Sequence, residues 1–426
     1  MNLWPIVVLV FLILVDIPVG YALLLASAFY FGFFDTGLAL PLVFQKMATQ
    51  CESFTLLAVP FFVTAGVLMQ YSGVAEAMLN FADLFTGRMR GGLAQVNVLL
   101  STLMGGCSGS ANADTAMQSK MLVPEMVRRG YDTAFSAGVT ATSSCITPII
   151  PPGICLILYS TLANTSVADM FMAGYLPGAL MCIALMVTVR HISVKKGYAP
   201  TRGQWPGPRE FIRTTVKSIW ALLIPLGILM GLRVGAFTPT EAGAVCVLYC
   251  LFIGFFVYRK LRIDMLPQIM LDSLKTTAGI MFIICGAAAF GHYLSWERIP
   301  HHITELLLSV TDNKYIFLLI VNVFLLICGM FMEGTATMII VVPLLIGVVQ
   351  QLGINPIHFG IIVCVNVTLG GCTPPFGTYM FTTCAATNIT VAQYAKAAWP
   401  LILSLIISML LITYIPAISL LVPGLL

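Results

Sequence analysis

Charge is what this chain has least of. Only 9% of its 426 residues are charged, whereas an average soluble protein carries about 25%. With 59% hydrophobic residues, no water-soluble core could hide the apolar surface that remains. Other absences narrow the class further. Short segments of alternating hydrophobicity are missing, which argues against a transmembrane β-barrel. The twelve cysteines contain no CxxC pair and lie mostly inside apolar segments, so free thiols are expected rather than disulfides or zinc. No GxxxxGK[ST] occurs, so the chain does not hydrolyse ATP through a P-loop, and nothing calls for an organic cofactor. The opening MNLWPIVVLVFLILV lacks a basic n-region and a small-residue cleavage site, so it does not read as a cleavable signal peptide. The net charge of +4 sits in loops and is no nucleic-acid signal. What is present is a series of apolar runs from Leu3 to Leu421, many near the length that crosses ~30 Å of hydrocarbon. The fold class read from this is an all-α polytopic membrane protein.

The basic clusters give an orientation. Arg88/Arg90, Arg128/Arg129, the stretch Arg190 to Lys217, and Arg259/Lys260/Arg262 all belong in the cytoplasm by the positive-inside rule. Two apolar segments, about 219–232 and 242–257, separate Arg213 from Arg262, so the side is kept. Two more, about 133–165 and 172–189, separate Arg129 from Arg190. Between Arg90 and Arg128 lie only two short runs, about 93–104 and 114–127, which fit a re-entrant hairpin entering from the cytoplasm.

The second half reads as a repeat of the first. Pro5, Pro18, Pro41, Pro124 and Pro152 match Pro225, Pro239, Pro267, Pro343 and Pro375 at offsets of 220, 221, 226, 219 and 223. An odd number of crossings separates the halves, 1–213 and 214–426, so the repeat is inverted and its second hairpin enters from outside. The expected hairpins are about 93–128 and 316–350, and the expected broken helices about 133–165 and 357–385.

Four polar interruptions fall at membrane depth: GGCSGSANADT (105–115), ITPIIPPGI (146–154), MEGTAT (332–337) and NVTLGGCTPPFGT (366–378). Proline removes a backbone donor and blocks the carbonyl four residues back, and glycine permits sharp reversal. Unwound backbone in a bilayer must be buried in protein or line a wet cavity. Freed carbonyls with serine and threonine hydroxyls make an oxygen cage for a hard cation such as Na⁺. Half-helices that restart after a break offer N–H groups and a positive dipole end to an anion. The competing reading is that small residues only let membrane helices approach.

SGSANADT followed by PEMVRRGYD, then IIPPGICLILY, MAGYLPG, GAFTPTEAGA and TPPFGT, taken in order, resemble the large membrane subunit of TRAP (tripartite ATP-independent periplasmic) transporters over essentially the whole chain. The resemblance implies a bacterial inner-membrane permease that carries sodium and a small organic anion. It implies an elevator motion of a transport domain past a scaffold. It also implies two partners, a small four-helix membrane subunit and a soluble periplasmic substrate-binding protein. The chain departs from the family pattern at Pro151-Pro152-Gly153, where PPS is usual, and in the run Cys145 to Pro148, where a glycine is common.

Within that frame Ser108, Ser110, Asn112 and Thr147 are expected at one sodium site, and Gly334, Thr335, Thr337, Asn366, Gly371 and Thr373 at the other. Substrate contacts are expected from Gly109, Asp114, Pro151, Pro152, Gly153, Pro374, Pro375, Gly377 and Thr378. The alternative for the hydroxyls is back-bonding to helix carbonyls, and for Asp114 it is capping the second hairpin helix. Glu333 is placed near the wet cavity, Asp16 at the membrane surface without a role, and Glu241 at a helix start. The stretch 190–217 reads as an interfacial connector, and His301/His302 as an external loop.

Three functions compete. A sodium-coupled symporter subunit for a carboxylate or a sugar acid such as sialic acid explains all four interruptions, and a stand-alone sodium–dicarboxylate symporter or antiporter is the nearest alternative. Gly106-Cys107-Ser108-Gly109 also reads GxSG, as in intramembrane serine proteases, but these need a histidine beside the serine. None of His191, His292, His301, His302 and His358 is expected at that depth. A structural subunit would tolerate substitutions at both tips.

Overall fold

A computed structural model describes residues 2–15, 17–34, 41–204 and 207–424, without the side chains of residues 14, 55, 106–108 and 310. Asp16, Trp205 and Pro206 lie outside the described residues, as does the side chain of Ser108. Regular structure among the described residues is entirely helical. Among the described residues, seven helices are long and apolar enough to span a bilayer. An eighth candidate, Ala58–Tyr71 with Val74–Thr86, bends by 71° at a break the sequence reading did not anticipate. Gly73 makes that bend with φ +88, a conformation that strains any side chain.

The helices form two packed assemblies. In one, Leu266–Trp296 packs against Val19–Phe33, Pro41–Cys51 and Ala58–Tyr71. Glycines let two of these backbones approach: a Cβ on Gly286 would sit 3.0 Å from the Gly20 carbonyl oxygen. Pro239–Phe252 lies against Ala58–Tyr71, and Pro208–Arg233 against Val74–Thr86, where the Ser218 hydroxyl donates to the Ala77 carbonyl at 2.8 Å. In the other assembly the centre is Pro356–Cys372. Every residue from His358 to Cys372 is buried, as expected of a helix apolar on all sides. Around it sit Thr133–Ser143, Ile154–Ala163, Val167–Lys196, Lys314–Phe331, Gly334–Gln351 and Val391–Tyr414, and Gly92–Ser108 packs on Thr133–Ser143 and Val167–Lys196 as well as on Ala58–Tyr71 and Val74–Thr86.

Local devices recur along the chain in the same order, each 223 or 224 residues after its counterpart. Gly130 and Gly353 adopt positive φ. Asp132 and Asn355 then cap a helix start with a side-chain oxygen. Pro151–Pro152 and Pro374–Pro375 are cis. Asn164 and Asn388 end helices in the left-handed region, and Ser166 and Thr390 cap the next ones. Not every proline match has a structural counterpart: Pro5 opens a helix whereas Pro225 lies inside one.

Two expectations need correction, those for His301/His302 and for 190–217, whereas the one for Glu241 holds. His301 and His302 lie in a helix, Ile299–Val310, where both face Glu305 at 3.4 and 3.7 Å. Most of 190–217 is helical, because Val167–Lys196 and Pro208–Arg233 extend into it. Arg202, in the short link between them, is tied to both Asp83 and Glu210. Glu241 sits at a helix start and completes a capping box with Thr238.

Candidate functional site

The first tip is the turn Gly109–Ser110 between Gly92–Ser108 and Ala111–Met121. Gly109 takes φ +57 there, and a Cβ on it would lie 2.8 Å from the Pro152 carbonyl oxygen and 3.2 Å from the Ile154 nitrogen. A Cβ on Gly105 would lie 3.1 Å from the Thr147 carbonyl. Small residues therefore bring the tip directly onto the broken segment between Thr133–Ser143 and Ile154–Ala163. The second tip, Met332–Glu333, lies between Lys314–Phe331 and Gly334–Gln351. Gly329 and Gly334 rest on Val367–Gly370, just before the second break. The first break also meets the helix that leads into the second, through the Cys145 thiol donating to the Thr368 carbonyl at 3.3 Å.

The packing of these parts is reciprocal. Ala111–Met121, behind the first tip, packs on Thr378–Thr387, the half-helix that restarts after the second break. Gly334–Gln351, behind the second tip, packs on Ile154–Ala163, which restarts after the first. Both restarted half-helices begin after a glycine, Gly153 or Gly377, with no side-chain cap. Their first N–H groups therefore lack a side-chain acceptor, and their positive dipole ends have the polarity that suits an anion. Residues 144–153 are buried throughout, whereas Pro375 and Phe376 in the second break are exposed.

Asp114 does not cap its helix; Ser110 does, its hydroxyl accepting from the Ala113 N–H at 3.4 Å. Asp114 is instead 1% exposed at the centre of a hydrogen-bond cluster. It accepts from Ser101 at 2.8 Å, from Gln118 at 2.7 Å and from Thr147 at 3.1 Å. The Ser101 hydroxyl also lies 3.0 Å from that of Ser143, which donates to Asn97 at 2.8 Å. Thr147 spends its hydroxyl on this cluster and on the Ser101 carbonyl. Four buried oxygens on the same helix, Asn112 Oδ1, Thr115 Oγ1, Gln118 Oε1 and Ser119 Oγ, have no hydrogen-bond partner. Those of Asn112, Thr115 and Ser119 line one helical face.

In the second half Thr337 and Thr373 back-bond to the Glu333 and Leu369 carbonyls at 3.2 and 2.8 Å. Thr335 pairs with the Glu333 side chain. The Asn366 amide donates to Asn322 at 2.7 Å, and its Oδ1 is buried without a partner. Gly371 faces Tyr379, and Gly377 closes the second break over the Gly371 and Thr373 carbonyls. Buried orphan oxygens at Asn112 and Asn366 suit a hard monovalent cation. No cluster of three or more His, Cys, Asp or Glu residues able to hold a metal occurs among the described residues.

Each tip borders a cavity that opens between the two assemblies. The first, about 360 Å³, is lined by Ser110, Ala113 and Ile154 on one side and by Gln70, Tyr71 and Lys275 on the other. The second, about 840 Å³, lies between Met332–Glu333 and Gly20, Tyr21 and Phe282. One helix, Leu266–Trp296, forms a wall of both. Lys275 stands about 14 Å along it from Leu266 at 1.5 Å per residue. Asp272, one turn back, accepts from Tyr71 at 3.2 Å and Gln268 at 2.9 Å. The sequence alone did not single out this wall, nor Asn97, Ser101, Gln118 and Asn322, whose amide donates to the Thr413 hydroxyl at 3.0 Å. The usable signal was polar residues four apart inside apolar runs, Asn97/Ser101 and Asp114/Gln118, and a Lys and an Asp inside an apolar helix.

Residues 6–418 match the family described as tripartite ATP-independent periplasmic transporter, DctM component. The chain is 40% identical to the C4-dicarboxylate TRAP transporter large permease protein DctM of Pseudomonas aeruginosa, over 89% of this chain and 88% of that protein. It is 36% identical to the sialic acid TRAP transporter large permease protein SiaM of Vibrio cholerae, over 97% and 96% respectively. Among solved structures, the Alcanivorax borkumensis YdaH transporter shares the fold, with a TM-score of 0.63 at 15% identity over 96% of this chain and 97% of that one. With its multi-pass helical fold, the chain belongs to the DctM family of TRAP transporter large permeases.

Proposed function

We propose that this chain is the permease subunit of a sodium-coupled, binding-protein-dependent importer of a small organic anion in a bacterial inner membrane. One observation carries the reading. Both tips and both uncapped half-helices converge inside one assembly, and both cavities face the same helix, Leu266–Trp296, of the other. In this reading the assembly around Pro356–Cys372 is the transport domain, and the assembly around Leu266–Trp296 is the scaffold it slides past as an elevator. The tips are re-entrant hairpins of an inverted repeat. The repeated caps and cis prolines support the duplication, and the basic clusters support the inversion.

Sodium would be held near each tip by Asn112 Oδ1 and Asn366 Oδ1 with carbonyls freed at the breaks. The anion would sit on the N-termini after Gly153 and Gly377. Lys275 supplies positive charge on the scaffold wall. The chemistry fits a carboxylate, and relatives named for C4-dicarboxylates and for sialic acid mark the range of candidates. A small membrane subunit would extend the scaffold, and a periplasmic binding protein would deliver the substrate.

The test is the melting temperature of the purified protein in sodium, potassium and choline chloride at equal ionic strength. A ligand bound only by the folded state stabilises it by about 2.7 kcal/mol at a hundredfold excess over Kd. A sodium-specific rise that Asn112→Ala blunts is expected. Identical melting in all three salts would remove sodium coupling from the reading.

A further inference from the structure

Two cysteines on different helices face each other within the scaffold assembly. Cys51 closes Pro41–Cys51, Cys285 lies within Leu266–Trp296, and these helices pack together. Their sulfurs are 3.1 Å apart, about 1 Å more than the ~2.05 Å of a disulfide bond. Cys51 is exposed and Cys285 buried, so the pair is open to a reactant from the Cys51 side.

The compartment follows from the other end of the same helix. Arg259, Lys260 and Arg262 precede Leu266–Trp296, and Lys260 pairs with Glu76 there at 3.3 Å. Basic residues mark the cytoplasmic face. Cys285 lies 19 residues beyond Leu266, about 28 Å along the helix at 1.5 Å per residue, which is nearly a full membrane thickness. The pair thus sits at the periplasmic side, where disulfides form and persist. Cys145 contrasts with it: it is fully buried in the first break, and its thiol donates to a backbone carbonyl.

We propose that Cys51 and Cys285 form a disulfide in the mature protein. The two thiols lose two protons and two electrons and gain one S–S bond. A periplasmic protein or small-molecule disulfide takes the electrons and leaves as its dithiol. The bond staples Pro41–Cys51 to the helix that walls both cavities, and so stiffens the scaffold that the moving assembly passes. It rests on the membrane orientation in the proposed function, but not on sodium or substrate.

The experiment uses the unmodified protein. Membranes are quenched in acid, denatured in N-ethylmaleimide without reductant, digested and analysed by mass spectrometry. A Cys51–Cys285 linked peptide is expected, with both cysteines alkylated only after reduction and Cys145 alkylated without it. Cys51→Ser should leave Cys285 alkylated without reduction and lower the melting temperature. In parallel, a membrane-impermeant maleimide on a His302→Cys variant that also carries Cys51→Ser reports which side that end faces. Free Cys51 and Cys285 with that end labelled from outside would overturn the disulfide itself. Free thiols with that end closed to the outside would overturn the orientation, and the disulfide with it.

Discussion

Replacing Asp114 with alanine tests whether the first tip is held by a charge or by an acceptor. The carboxylate is buried and receives hydrogen bonds from Ser101, Gln118 and Thr147, which joins the tip helix to both Gly92–Ser108 and the first break. Hydrogen bonds to a charged group contribute about 1.5–3 kcal/mol each, which sets an upper bound for three of them. Every donor here keeps a second partner, however. Ser101 has Ser143, Gln118 has the Ser101 hydroxyl, and Thr147 has the Ser101 carbonyl. The loss per bond therefore falls towards the ordinary net value of about 1 kcal/mol, and Asp114→Ala should cost about 3 kcal/mol. Asp114→Asn keeps the shape and one acceptor, and removes a carboxylate that has no basic side chain among its hydrogen-bond partners. Its cost should stay within about 1 kcal/mol. Unfolding monitored by tryptophan fluorescence in detergent, in choline chloride, measures both. Equal damage from the two variants would refute the reasoning, because it would mean that the negative charge itself holds the tip. Wild-type stability in Asp114→Ala would refute it from the other side.

Further outcomes follow from the same contacts. Gly370→Ala should lower the melting temperature, because the added Cβ would lie 2.5 Å from the Gly329 backbone. Separating the two helices should cost about 1–3 kcal/mol, read by the same unfolding assay. Lys275→Met should sharply raise the KM for uptake of a dicarboxylate or sialic acid, whichever the assembled system carries, and Lys275→Arg should restore part of it. An unchanged KM would remove Lys275 from the anion path. Ser110→Ala should cost about 1 kcal/mol through the lost helix cap, measured without sodium so that cap and cation effects stay separate.

The apolar runs, the four interruptions and the motif order were legible in the sequence because each depends on local chemistry. A bilayer demands long apolar helices, and proline and glycine at depth demand breaks wherever they occur. The placement of the two tip turns and of both cis-proline breaks follows from those residues alone. The role of Asp114 did not follow. Its neighbour Ser110 takes the cap, and only the approach of Ser101 and Thr147 from other segments makes Asp114 the centre of a buried cluster. Thr337 and Thr373 donate their hydroxyls to carbonyls four residues back, a pairing that helix geometry sets and that leaves each oxygen its lone pairs. Tertiary structure alone set each tip's helix against the restarted half-helix of the opposite half, and faced both cavities with Leu266–Trp296. Those contacts join residues up to a few hundred positions apart. Which helical faces meet is decided by close packing of whole surfaces, and no stretch of sequence carries that information on its own.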